Sequence, residues 1–62
     1  MKYNELHRKL RKSECYPTGE SINGHPVWYS PKTGKEFKTS LHEAKEVAKG
    51  TLNSILRDAG IK

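Results

Sequence analysis

The chain has 62 residues, of which 32% are hydrophobic and 31% charged, and a net charge of +5. This length suits one small domain, which we expect to span residues 1–62, and no apolar run approaches the ~20 residues of a membrane helix. The single cysteine excludes an intrachain disulfide and a cysteine-rich metal site, which favours a cytoplasmic protein. The basic excess favours polyanionic partners, nucleic acid above all.

The first predicted element is a helix over residues 3–12. Its apolar residues Tyr3, Leu6 and Leu10 recur at spacings of three and four, which puts them on one helical stripe. Asn4 is the predicted N-cap. Because this amphipathic stretch stands where a signal peptide would have its apolar segment, we expect no signal peptide.

Three short strands separated by turn residues are predicted next. Residues 15–20 are interrupted by a proline and a glycine, which suits an irregular edge strand. Residues 26–30 give the clearest strand, with β-branched and aromatic side chains between the Asn23-Gly24 turn dipeptide and a proline. Residues 36–39 alternate polar and apolar side chains after a hairpin connection that ends in glycine and lysine.

The last predicted element is a helix over residues 50–60. Its apolar side chains follow the i, i+3, i+4, i+7 spacing of one helical face, at Leu52, Ile55, Leu56 and Ala59. Gly50 or Thr51 is the expected cap at its start. Gly60 is predicted to be the left-handed residue of a Schellman-type ending, with Ile61 as its apolar contact.

The order helix–strand–strand–strand–helix predicts an α+β fold, with a three-stranded antiparallel sheet and both helices on one face. We expect Val27 and Phe37 on the face that meets the helices. Strand alternation then puts Trp28 on the other face, where it either closes a hydrophobic edge or makes a functional contact. A positive domain of this shape resembles a double-stranded-RNA-binding domain, a likeness that predicts binding rather than chemistry.

Histidine is the side chain best suited to proton transfer near neutral pH, and the chain has three. His25 directly follows the Asn-Gly turn, so it is either an ordinary surface residue or a proton-transfer group. His42, in the loop before the second helix, either contacts phosphate or supports the fold, and His7 is expected on the helix surface without a function. The candidate phosphate contacts are the lysines around the third strand and the second helix start: Lys35, Lys38, Lys45 and Lys49. The sequence lacks the clustered carboxylates that a two-metal nuclease uses. We expect no metal site and no cofactor.

Two long segments resemble the HicA-type toxins of bacterial toxin–antitoxin pairs. They read H-P-V-W-Y-S-P-K-T-G-K, residues 25–35, and K-G-T-L-N-S-I-L-R-D-A-G-I, residues 49–61. The opening Y-N-E-L-H-R-K-L-R-K-S-E-C-Y also fits that family's first helix and strand. The resemblance implies a double-stranded-RNA-binding-like fold, metal-independent cleavage of mRNA, one essential histidine, and a HicB-type antitoxin that covers it. We expect the free toxin to be a monomer.

The family presents its histidine in a Gly-Ser-His step at the start of the second strand, which Asn23-Gly24-His25 matches with the histidine retained. A second family histidine, in a Pro-Arg-His segment, is matched by Ser40-Leu41-His42. The resemblance therefore makes His25 the expected catalytic residue. Two other classes stay open: a noncatalytic RNA-binding module, and a protein-interaction domain whose positive face binds an acidic partner.

Overall fold

A computed structural model describes residues 1–61 and has the predicted element order. The elements, in chain order, are α1 (Tyr3–Lys12), β1 (Tyr16–Ile22), β2 (His25–Ser30), β3 (Lys35–Lys38) and α2 (Lys49–Ala59). The strands form one antiparallel sheet in the order β1-β2-β3. The predicted α+β fold, with its antiparallel meander, is confirmed. Within the described residues, neither helix is long and apolar enough to cross a membrane.

Helix α1 has the predicted bounds but not the predicted cap. Leu6 and Leu10 are fully buried, as their spacing requires. The N-cap is Lys2, without a side-chain cap, so the prediction for Asn4 is wrong. The backbone N–H groups of Tyr3 and Asn4 instead donate to carbonyls of the segment before α2, at 3.0 Å each. Because a distant segment satisfies these donors, the helix needs no local cap.

Helix α2 has the predicted type of ending at Gly60, and its bounds, Lys49–Ala59, lie one residue earlier than predicted at each end. Gly60 has a φ of 78° at its C-terminal end. The N–H of Gly60 donates to the Arg57 carbonyl and the N–H of Ile61 to the Leu56 carbonyl, which is the Schellman pair of bonds. At the start, Ala48 is the N-cap without a side-chain bond, so the prediction of a cap at Gly50 or Thr51 is wrong.

Each strand extends beyond its predicted bounds at one end, and β3 does so by beginning at Lys35 rather than at residue 36. β1 runs on to Ile22 and carries a bulge between Pro17 and Ser21, which accommodates the proline and glycine that weakened its prediction. β2 begins one residue earlier than predicted, at His25. The predicted hairpin between β2 and β3 is present, with Gly34 at a φ of 70° and its N–H bonded to the Ser30 carbonyl.

The prediction of which side chains face the helices is wrong for Trp28 and Val27. Trp28 pairs directly with Phe37 across β2 and β3, so both lie on one face of the sheet. Trp28 is only 3% exposed and belongs to the core, whereas Val27 is buried outside it. The reason is the register, since moving a pairing by one residue exchanges the two faces of a strand.

Both helices pack on this inner face, as predicted. The His7 ring of α1 stacks on Trp28, and the Ser30 hydroxyl, two residues along β2, donates to the Ala59 carbonyl of α2. The core consists of apolar side chains from every element except β1, together with two from connecting segments: Leu6, Leu10, Cys15, Trp28, Phe37, Val47, Ile55 and Ala59. Leu52 and Leu56 are half-buried against it. The opposite face, called the outer face below, carries His25, Val27 and Tyr29 of β2.

Candidate active site

His25 is presented by a tight turn at one end of the sheet. Asn23 and Gly24 have φ values of 52° and 79°, the left-handed pair that a two-residue type I′ hairpin requires. Asparagine and glycine tolerate this conformation best, so the local sequence fixes where β2 begins. His25 is its first residue, pairs with Ile22 and is exposed to solvent.

Lys38 is the candidate lysine that the sheet brings to the face of His25. It pairs directly with Val27, which lies two residues beyond His25 on the same outer face. Diagonal neighbours of this kind lie about 7–8 Å apart in antiparallel sheets. Lys38 is exposed, so its flexible side chain can extend toward a phosphate group held at His25.

The other candidate lysines lie farther along the surface. Lys35 pairs with Ser30 at the opposite end of β2, so five strand residues, or about 17 Å, separate it from the level of His25. Lys45 is exposed in the turn that follows His42, and Lys49 is the first residue of α2. The structure therefore does not gather these lysines into one cluster around His25.

His42 follows the strand segment that runs beside His25. The Thr39 N–H donates to the carbonyl of Pro26, the residue after His25, at 3.0 Å. One residue later, the buried Ser40 hydroxyl accepts a hydrogen bond from the His42 N–H at 3.1 Å. The His42 carbonyl accepts from the Lys45 N–H, which closes a turn and leaves the His42 side chain exposed.

His7 is not the surface residue that the sequence predicts. Its ring stacks on Trp28 with centroids 5.0 Å apart, and its Nε2 lies 3.1 Å from the Thr39 hydroxyl. Burial lowers the pKa of His7, and the nearby Glu43 carboxylate opposes that shift. A signal was present in the sequence, because His7 is four residues from the apolar Tyr3 and thus shares its side of the helix.

A groove of about 600 Å³ is lined by side chains of the three strands and of α2. Its lining includes the buried Val27 and Phe37. The charged side chains that line it are three carboxylates and one lysine: Glu20, Glu36, Asp58 and Lys38. The excess of carboxylates means that the groove as a whole does not favour phosphate, and of the four candidate lysines only Lys38 lines it. Among residues 1–61, no three side chains of the metal-binding types form a group that could hold an ion.

Comparison with protein families gives one match that spans nearly the whole chain. A family model described as the HicA toxin of bacterial toxin-antitoxin pairs matches residues 3–61. Neither the curated proteins nor the solved structures contain a match to this chain. The family match covers both helices, the sheet, the His25 turn and the lysine-bearing segments. The chain therefore belongs to the HicA toxins of bacterial toxin–antitoxin pairs.

Proposed function

We propose that this toxin is a metal-independent endoribonuclease that cleaves mRNA and uses His25 as its proton-transfer group. The observation that carries the proposal is an exposed imidazole at the start of β2, with the Lys38 ammonium group on the same face of the sheet. RNA cleavage needs proton transfer and stabilisation of the charge that grows on phosphate, and an imidazole with a nearby ammonium group can supply both.

RNA supplies its own nucleophile, which explains how one histidine suffices. His25 takes the proton from the 2′-hydroxyl as its oxygen bonds to phosphorus, and the bond from phosphorus to the 5′-oxygen breaks. The same imidazole, now protonated, gives the proton to the departing 5′-oxygen, so the products are a 2′,3′-cyclic phosphate and a free 5′-hydroxyl. Lys38 stabilises the negative charge that grows on the phosphoryl oxygens. Acid–base catalysis of this kind is worth roughly 10²–10⁴-fold.

The remaining candidates serve RNA binding in this proposal. Lys35, Lys45 and Lys49 are exposed, and phosphate contacts by such side chains supply most of the affinity of proteins for nucleic acid. Lys49 also stands at the start of α2, which lacks a side-chain cap, so the partial positive charge of the first turn adds to its own. His42 is proposed to contact a phosphate beside the strand that carries His25.

A HicB-type antitoxin is the proposed partner, and we propose that it covers His25 and the lysines together. The toxin alone is proposed to be a monomer. Because a partner that binds only the folded chain stabilises it by mass action, the complex should melt at a higher temperature than the free toxin. Co-expression should also restore growth. A complex that silences the toxin yet leaves His25 open to solvent would contradict this mode of inhibition.

The decisive experiment compares cleavage of a defined RNA by the parent and His25→Ala. The variant should fold normally and lose cleavage, because His25 is exposed and contributes little to packing. The parent should yield 2′,3′-cyclic phosphate ends and keep its activity in EDTA. Loss of activity in EDTA, or full activity of the alanine variant, would refute the mechanism.

A matched pair of lysine variants tests the proposed role of Lys38. Lys38→Ala should lower the cleavage rate at saturating RNA. Lys35→Ala makes the same change in charge at the far end of the strands, and it should raise only the RNA concentration at which cleavage reaches half its maximal rate. Equal effects would mean that both lysines serve binding alone. If the parent binds RNA but never cleaves it, the chain is a noncatalytic RNA-binding module instead.

A further inference from the structure

Two tyrosines form an open aromatic pair on the outer face. Tyr16 and Tyr29 are directly opposite each other in β1 and β2, with ring centroids 5.7 Å apart and ring planes 58° from parallel. Tyr16 is 48% exposed and Tyr29 is partly exposed. Within residues 1–61, neither hydroxyl forms a hydrogen bond, so the pair has no polar anchor in the fold. Both rings therefore offer exposed aromatic surface that a ligand can contact.

The pair shares a strand and a face with His25. Tyr29 lies four residues after His25 on β2, and side chains alternate between faces, so both point to the outer side of the sheet. Four strand residues span about 13 Å. A short stretch of extended RNA whose scissile phosphate lies at His25 would therefore reach the aromatic pair along the strand.

The local charge favours a nucleobase at this position over a phosphate. Glu36 pairs directly with Tyr29 across β2 and β3, so a carboxylate stands beside the ring. The Glu36 carboxylate disfavours a phosphate directly beside Tyr29, and the lysine of the same face, Lys38, pairs with Val27, two residues back toward His25. Aromatic rings bind unpaired bases through stacking, and this stacking tolerates any base because each has a π-face.

We propose that Tyr16 and Tyr29 form a stacking site for unpaired bases of the RNA substrate, on the same strand as the cleavage site. This proposal rests on the proposed ribonuclease function and narrows its substrate to single-stranded RNA. The carboxylate of Glu36 keeps the sugar–phosphate chain away from the rings, and the base faces them.

The test uses the full chain carrying His25→Ala, so that RNA is bound without being cleaved. The His25→Ala chain is the parent in this test. A labelled single-stranded RNA of ten nucleotides is titrated by fluorescence anisotropy against this parent, and then against the same chain that also carries Tyr29→Leu or Tyr29→Phe. The leucine variant should bind about 5- to 150-fold more weakly, the range found when one stacking ring is removed, while phenylalanine keeps the ring and the affinity. The salt dependence should not change, since no phosphate contact is lost.

RNA with one base removed separates stacking from a structural role of the tyrosines. The parent should lose affinity for the abasic RNA at one position, and the Tyr29→Leu variant should lose nothing further there, because both changes remove the same contact. A duplex of the same sequence should bind more weakly than the single strand. If the leucine variant is unstable, the abasic RNA still tests the proposal, because a parent that binds every abasic RNA as tightly as the intact RNA would refute the stacking site.

The outcomes distinguish this proposal from the function on which it rests. If the parent shows no RNA binding at all, both proposals fail. If it binds RNA and the chain with His25 cleaves it, but neither the leucine variants nor the abasic RNA change affinity, only the stacking site is refuted. Leucine variants of Tyr16 and Tyr29 that bind RNA normally but bind the antitoxin weakly would assign the pair to a protein interface, and would also refute it.

Discussion

Ser30 connects the sheet to the end of α2, and its removal should be costly for a single hydroxyl. The side chain is fully buried, and its hydroxyl donates to the Ala59 carbonyl at 2.9 Å. Ala59 is the last residue of α2, so its carbonyl has no partner within the helix. Ser30→Ala therefore leaves a carbonyl at the helix end without this donor.

The expected loss follows from the burial of the acceptor. A buried group that loses its hydrogen-bond partner costs about 1–3 kcal/mol, more than the net value of an exposed bond. In a domain of 60–100 residues, each kcal/mol lowers the melting temperature by about 4–8 °C. Ser30→Ala should therefore melt at least about 4 °C below the parent.

Urea unfolding followed by circular dichroism measures the effect, with Ser21→Ala as the matched control. Ser21 is also a strand serine, so the two variants share the same change in strand propensity. Ser21 is exposed, whereas Ser30 is buried, so only Ser30→Ala removes a buried hydrogen bond. The unfolding midpoint of Ser30→Ala should fall while the slope stays constant, because the native and unfolded surfaces are nearly unchanged. Equal midpoints for the two variants would show that the Ser30 hydroxyl does not anchor α2.

Two further predictions concern stability. Gly60→Ala should destabilise the chain by about 1–2 kcal/mol in urea unfolding, because its φ of 78° is left-handed and an added Cβ would lie 3.1 Å from the Thr33 methyl group. Gly50→Ala, in open space within α2, should be neutral or stabilising, and equal losses would contradict the argument. Because burial lowers the pKa of His7, the unfolded chain binds the extra proton more readily, and the free energy of unfolding should decrease as pH falls below about 6.5. His7→Gln should lose this decrease in the free energy of unfolding, which denaturant unfolding at several pH values would measure. An unchanged pH dependence would assign the decrease to other groups.

The elements themselves could be predicted because their signals are local. Spacing of apolar residues identified both helices, and Gly60 marked the end of α2 within one residue. The Asn23-Gly24 dipeptide fixed the hairpin that begins β2. The N-cap of α1 could not be predicted in the same way, since the N–H groups of Tyr3 and Asn4 are satisfied by carbonyls about forty residues away.

The side of the sheet that forms the core depends on register, which the sequence leaves open. Val27 and Trp28 are neighbours and both apolar, so either could face the helices. The pairing of Trp28 with Phe37 decides between them, and that pairing depends on the geometry of a turn between two short strands. At His7 the spacing from Tyr3 indicated the side of the helix, but the contact with Trp28 joins residues that are far apart in the chain and could not be predicted.

In the candidate site, too, some features follow from local sequence and others depend on strand register. His25 follows a turn that the sequence specifies, so its exposed position at the start of a strand could be predicted. Its diagonal relation to Lys38, which pairs with Val27, and its distance from Lys35 require the β2–β3 register. Four lysines with the same sequence prediction thus acquire different expected roles only when the strands are paired.

His7 and His25 differ in how much their side chains pack against the fold, and this difference allows their effects on catalysis and on stability to be measured separately. His7 lies between helix and sheet, where its ring packs on Trp28 and its Nε2 meets the Thr39 hydroxyl. His25 stands exposed at the end of a hairpin, where the side chain contributes little to packing. Loss of His25 should therefore lower the cleavage rate without changing the melting temperature. Loss of His7 should lower the melting temperature without changing the cleavage rate, when both are measured above the pH at which His7 gains a proton. A histidine that supported the fold and the reaction together would not allow that separation.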